Sequence, residues 1–171
     1  MIADEPTASA DEPIPSREAR LQRALDLGYR YLGKRDRTQA EVRRQLADKG
    51  IDEASIDTAA GTLVRQGYVD DARYARMFAE DRRKLDDWGP ERIERRLLAL
   101  GVDTEIVSAA LSDRDPAGEL DAAVALLRRR CGDAIPASGR ERERALGLLV
   151  RKGYGLELAY DAVRAFSGLP G

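Results

Sequence analysis

Thr38-Gln39-Ala40-Glu41-Val42-Arg43-Arg44-Gln45-Leu46, running on to Lys49-Gly50-Ile51-Asp52, repeats later in the chain. The second copy is Gly89-Pro90-Glu91-Arg92-Ile93-Glu94-Arg95-Arg96-Leu97, running on to Leu100-Gly101-Val102-Asp103. The pairs Val42/Ile93, Leu46/Leu97, Gly50/Gly101, Ile51/Val102 and Asp52/Asp103 share one offset of about fifty residues, within the range of stacked helical repeats. A looser third copy follows in Arg144-Ala145-Leu146-Gly147-Leu148-Leu149 and Lys152-Gly153-Tyr154, where Leu149 and Gly153 stand in the places of Leu97 and Gly101.

The punctuation of each copy predicts three short helices, A, B and C. In the first, Thr38 and Glu41 make a capping box that starts helix B, and Gly50 supplies the left-handed residue that ends it. Asp52 caps helix C, which runs to about Gln66 before Gly67 stops it. In the second, Asp70 or Asp71 starts helix A, Pro90 sits in the first turn of helix B, Gly101 closes it, and Asp103 caps helix C. In the third, Asp115-Pro116 starts helix A, Cys131-Gly132 ends it, and a loop from Asp133 to Gly139 precedes helix B.

Composition agrees. Apolar residues make up 43% and charged residues 35%, with only 5% aromatic, a balance that suits amphipathic helices better than pleated sheets. The expectation is an all-α protein of three tandem three-helix, helix-turn-helix-like repeats over 17–67, 68–114 and 115–171. Each unit is too small to bury a generous core alone, so the three lean on one another in an elongated body. Residues 1–16 carry Pro6, Pro13 and Pro15 among small and acidic side chains, and are read as a disordered acidic tail.

The chain holds no histidine, which removes the usual general base near neutral pH and the commonest nitrogen ligand of a transition metal. No glycine-rich phosphate loop, catalytic carboxylate pair or metal-ligand cluster is visible, so neither enzymatic activity nor a cofactor is expected. The single cysteine, Cys131, has no candidate base beside it and reads as an incidental helix-end thiol. No apolar run approaches a membrane span and the N-terminus lacks a basic leader, so a cytoplasmic protein without membrane contact is expected.

The charges total 29 basic against 31 acidic, so net charge gives no support to nucleic-acid binding. Their placement is more telling. Asp4, Glu5, Asp11 and Glu12 lie in the tail, which leaves the remainder slightly cationic. On helix B of the second unit, Ile93, Leu97 and Leu100 share one arc at helical spacing, whereas Arg92, Arg95 and Arg96 lie together on another. Helix A of the second unit ends in Arg82-Arg83-Lys84 and helix A of the third in Arg128-Arg129-Arg130, runs suited to lining one groove. The first unit adds Arg35, Arg37, Arg43 and Arg44 to the candidate face. Guanidinium forks pair with phosphates or carboxylates, so DNA and an acidic protein surface are both open. A solvated surface is the competing reading: Glu91 precedes Arg95 by four residues and Glu80 precedes Lys84 by four. Trp88, at the entry to helix B, reads first as a packing staple, as do Tyr29, Tyr31, Tyr68, Tyr74 and Phe78 as core. Helix C of units one and two carries almost no basic or amide side chains, which argues against base-specific reading of a duplex.

Taken in order, Arg35-Asp36-Arg37-Thr38-Gln39-Ala40-Glu41-Val42, Leu46-Ala47-Asp48-Lys49-Gly50-Ile51, Gly67-Tyr68-Val69-Asp70-Asp71-Ala72-Arg73-Tyr74-Ala75 and Trp88-Gly89-Pro90-Glu91-Arg92-Ile93 resemble the RecX family of RecA regulators. The resemblance is dense from about Arg20 to Asp113 and looser to about Phe166. It implies tandem three-helix repeats acting as a monomer on the filament of RecA and single-stranded DNA, directly or through RecA. It further implies suppression of ATP hydrolysis, strand exchange and co-protease activity, with roles in recombination, repair and the SOS response. The rival classes are a stand-alone DNA-binding repeat protein and an adaptor that binds only proteins. The acidic tail and the Ala- and Gly-rich third unit depart from the family pattern.

Overall fold

The computed structural model describes residues 15–112, 116–132 and 138–168, which hold nine α-helices and no strand. They are α1 (Arg17–Leu32), α2 (Gln39–Asp48), α3 (Glu53–Arg65), α4 (Asp71–Asp86), α5 (Pro90–Ala99), α6 (Thr104–Leu111), α7 (Pro116–Cys131), α8 (Gly139–Lys152) and α9 (Leu156–Phe166). Residues 1–14 of the segment expected to be disordered, the Asp115 cap and most of the Asp133 to Gly139 loop lie outside the described residues, and Ser16, at the end of that segment, caps α1.

Side chains and glycines set the helix ends where the sequence places them. The Thr38 hydroxyl accepts from the Glu41 N–H at 3.1 Å, and the Glu41 carboxylate accepts from the Thr38 N–H at 3.0 Å. Asp52, Asp70 and Asp103 cap α3, α4 and α6 through the N–H groups of Ser55, Arg73 and Glu105. Gly50 and Gly101 close α2 and α5 with φ of 74° and 79°. One boundary differs from expectation. Gly139 is the first helical residue of α8, because Ser138 and Glu141 form a second full capping box that starts the helix there.

Three apolar clusters lie along the chain, each built from one consecutive trio of helices. Ala24, Val42, Leu46, Ile51, Ile56 and Ala59 of the first correspond in order to Ala75, Ile93, Leu97, Val102, Val107 and Ala110 of the second. The repeat therefore extends from helices B and C into helix A. The third cluster is built around Leu126, Leu127, Leu149, Tyr154 and Phe166, larger side chains that compensate for Ala145, Ala159 and Ala162.

The trios touch by a recurrent device. The N-terminal end of α2 meets the C-terminal end of α5, where the Thr38 hydroxyl donates to the Leu100 carbonyl at 2.8 Å. The N-terminal end of α5 meets the C-terminal end of α8, with the Gly89 and Glu91 N–H groups donating to the carbonyls of Lys152 and Gly153 at 2.8 and 3.1 Å. Helix B of one unit thus satisfies carbonyls at the end of helix B in the next, and unlike dipole ends are brought together. Close approach demands small residues at these joints: a Cβ on Gly153 would lie 2.3 Å from the Arg92 Cβ, and one on Gly101 2.4 Å from the Ala40 Cβ.

Candidate functional site

The joint between the second and third units gathers the cationic runs. α4 ends at Asp86, and Asp87 turns the chain in the left-handed conformation with φ of 56°. The Arg129 guanidinium donates to the Asp87 carboxylate at 2.5 Å, and the Lys152 ammonium donates to the Asp86 carbonyl. The C-terminal ends of α4, α7 and α8 therefore converge, which brings the helices that end in Arg82-Arg83-Lys84 and Arg128-Arg129-Arg130 together at one seam. Helix C-termini favour nearby cations, so the backbone itself supports the clustering.

Trp88 follows directly on Asp87 at this seam. Its ring meets Phe78 edge-on at 6.3 Å, as a packing residue would, and carries the Arg92 guanidinium over its face at 4.3 Å, with Arg82 at 5.7 Å. Arg92 also donates to the Arg151 carbonyl at 3.1 Å. Of the expected stripe on α5, then, Arg92 is drawn into the joint, while Arg95 and Arg96 remain exposed and form no ion pair among the described residues. Arg82 pairs with Asp86 along α4, and Lys84 pairs with Glu80, which holds the Glu80 carboxyl below its usual range. Arg83 is half-buried, whereas Arg128 and Arg130 are exposed and form no ion pair among the described residues.

The first-unit cations have different surroundings. Arg35 and Arg37 both reach the buried carboxylate of Glu41, at 3.1 and 3.5 Å, and Arg37 lies over the Tyr31 ring at 4.4 Å with its side chain only 14% exposed. Arg37, one of the candidate cations, is thus largely covered by Glu41 and Tyr31 of its own unit. Tyr74 lies within the influence of Glu41, Arg35 and Arg96, and burial, reinforced by Glu41, pushes its phenol up. Arg43 bridges α2 and α3 through Glu53 and Asp57, both at 2.6 Å, and its pKa is raised, chiefly by the hydrogen bond to Asp57. Arg44 is exposed and forms no ion pair among the described residues.

Nine of the thirteen candidates therefore divide by work already assigned, beside Arg35, Lys84 and Arg129, which hold the ion pairs given above, and the half-buried Arg83. Arg37, Arg43, Arg82 and Arg92 hold joints or helices together. Arg44, Arg95, Arg96, Arg128 and Arg130 present guanidinium groups outward. Asp87 and Lys152, which assemble the seam, carry no motif that marks them in the sequence. Cys131 is an exposed thiol at the end of α7. No helix among the described residues is long and apolar enough to cross a membrane.

Two family models match this chain. One, described as RecX, first three-helix domain, covers residues 24–63, and the other, RecX, second three-helix domain, covers residues 70–111. The regulatory protein RecX of Amycolatopsis mediterranei (strain U-32) is 33% identical over 148 residues, spanning 86% of this chain and 85% of its own length. That of Mycobacterium sp. (strain JLS) is 34% identical over 164 residues, spanning 92% and 90%. Among solved structures, the crystal structure of RecX from Lactobacillus salivarius superposes with a TM-score of 0.77 at 21% identity, covering 88% of this chain and 98% of that one. A second crystal structure of a regulatory protein RecX gives 0.72 at 20% identity, with 86% and 73% covered. These two likenesses speak to the fold.

Proposed function

This chain belongs to the RecX family, and from that premise we propose that it is a non-enzymatic negative regulator of the recombinase RecA. It binds the RecA–ssDNA filament in the cytoplasm as a monomer and restrains ATP hydrolysis, strand exchange and co-protease activity. The observation that carries this reading is the cationic seam between the second and third units, together with the outward guanidinium groups of Arg95, Arg96, Arg128 and Arg130. Planar forks held on short rigid helices suit the phosphates of a coated strand or the carboxylates of a protein surface. Several such units in series can contact successive subunits of a polymer, which blocks either subunit addition or the motions coupled to turnover.

The test separates binding cations from architectural ones. Arg95→Glu/Arg96→Glu and Arg128→Glu/Arg130→Glu alter exposed charges, so helicity stays intact. Each double variant raises the concentration needed for half-inhibition of RecA ATPase on single-stranded DNA by on the order of tenfold, about 1.4 kcal/mol. Unchanged inhibition by both variants removes the seam from the reading. A DNA-only titration run beside it distinguishes the rivals: a stand-alone DNA binder holds bare DNA as tightly as coated DNA, and a protein adaptor holds neither.

A further inference from the structure

The groove between α8 and α9 is built differently from its counterparts, and the seam makes no use of it. Counting from the glycine that ends each helix B aligns the units. Seven residues before and after Gly50 stand Arg43 and Asp57, whose ion pair, joined by Glu53, ties α2 to α3. The same places about Gly153 hold Leu146 and Tyr160, and about Gly101 they hold Glu94 and Ser108. The ionic tie of the first unit is thus replaced in the third by an apolar residue and an aromatic one.

Helix length adds to the difference. α8 has 14 residues where α2 and α5 each have 10, and the surplus is a turn at its N-terminal end. That turn begins with Gly139, and Arg142 follows it. Between α8 and α9 lies an open groove of about 450 Å³, with Leu146 and Val163 as floor, Tyr160 as wall, and Arg142 and Arg164 at the rim; Gly139 and Glu143 also line it. Tyr160 is 53% exposed and its hydroxyl has no hydrogen-bond partner among the described residues. Arg142 forms no ion pair among them, and Arg164 reaches only Asp161, at 3.7 Å, with both side chains about half exposed. A pair so exposed contributes little and exchanges readily.

A largely exposed aromatic ring beside an apolar floor accepts a flat, apolar-faced partner. The guanidinium groups of Arg142 and Arg164 line the same groove and can take an anion, Arg164 by exchanging its exposed pair with Asp161. One chemical unit that combines both is a nucleotide: single strands are held by stacking bases on aromatic side chains while basic residues track the phosphates. We propose that the α8–α9 groove of the third unit binds single-stranded nucleic acid, with one base against Tyr160 and the neighbouring phosphates on Arg142 and Arg164. This inference concerns a different face from the seam and is tested without RecA, so its failure leaves the regulatory reading standing.

The experiment is fluorescence anisotropy of the full chain with a labelled oligo-dT of about 15 nucleotides and with an abasic strand of the same length. The wild type binds oligo-dT at least about fivefold more tightly than the abasic strand, as expected for one stacked base. Tyr160→Ala abolishes that preference, and Tyr160→Phe keeps it. Arg142→Glu/Arg164→Glu weakens binding of both strands and makes the salt dependence shallower. Equal binding of the two strands by the wild type overturns the proposal, and that comparison does not depend on how any variant folds. A Tyr160→Ala chain of normal helicity that still prefers bases also overturns it. So does stronger competition by a Glu/Phe peptide than by oligo-dT, which would assign the groove to a protein partner.

Discussion

At the scale of the residue, one hydroxyl connects local structure to assembly. Thr38 is fully buried; its oxygen accepts the Glu41 N–H to start α2 and donates its proton to the Leu100 carbonyl that ends α5. Thr38→Ala therefore removes a cap and leaves a half-buried carbonyl without its partner. Unfolding in urea should show a loss of about 1–2 kcal/mol, and Thr38→Ser should recover most of it. The cap is visible in the sequence as Thr-x-x-Glu, but its second partner is a backbone carbonyl in another unit, which leaves no trace in the pattern. Asp71 makes the same joint sensitive to rising pH. It accepts the Gln39 N–H at 2.9 Å, yet burial, reinforced by Asp70 and Glu41, raises its carboxyl above the usual range. The folded chain then holds that proton more tightly than the unfolded chain, so the associated stability is full below the ordinary carboxylate pKa and is lost as pH rises through the raised value. Asp52 has the opposite sign: hydrogen bonds from Ser55 lower its pKa, so its contribution is present above the ordinary value and lost as pH falls. Urea midpoints measured across the carboxylate range should show Asp71→Asn removing the decline above the ordinary pKa while leaving the acid-side loss in place.

At the scale of the element, helix B recurs three times with the same polarity and a different outer face. In α2 it carries the Arg43 tie, in α5 the exposed Arg95 and Arg96, and in α8 one side of a groove shared with α9. The core side of these helices was legible because Val42, Ile93 and Ala145 answer to helical spacing. The outer side was legible only as charge. Nothing in the run Arg92, Arg95, Arg96 says that the first bends toward Trp88 while the others stay outside, since that depends on where α8 ends. The start of α8 is a gentler case, because Ser138-x-x-Glu141 is as clear a box as Thr38-x-x-Glu41 and outweighs the loop signal of Gly139. Gly153 is the element's tightest constraint. It has φ of 90° and faces the backbone of Arg92, so Gly153→Ala is disfavoured by its own conformation as well as by the contact. Loss of about 2 kcal/mol or more is expected in chemical denaturation, whereas Gly139→Ala, with open space around it, should be neutral or stabilising.

At the scale of the whole molecule, three small cores are coupled through the ends of helices rather than through a shared interior. The all-helical repeat was readable from one offset of about fifty residues, because apolar spacing and helix punctuation are properties of single segments. The order of touching was not, since it rests on carbonyls and on the absence of side chains at Gly89, Gly101 and Gly153. This series of joints also has two unlike extremities. α8 begins with amide hydrogens under Ser138, and α2 finishes with carbonyls beside Gly50, around whose would-be Cβ nothing lies within 4 Å. Such a body is an arrow and not a rod. Laid along any strand whose own ends differ, it has one heading that matches and one that does not, so copies arriving independently would all point the same way.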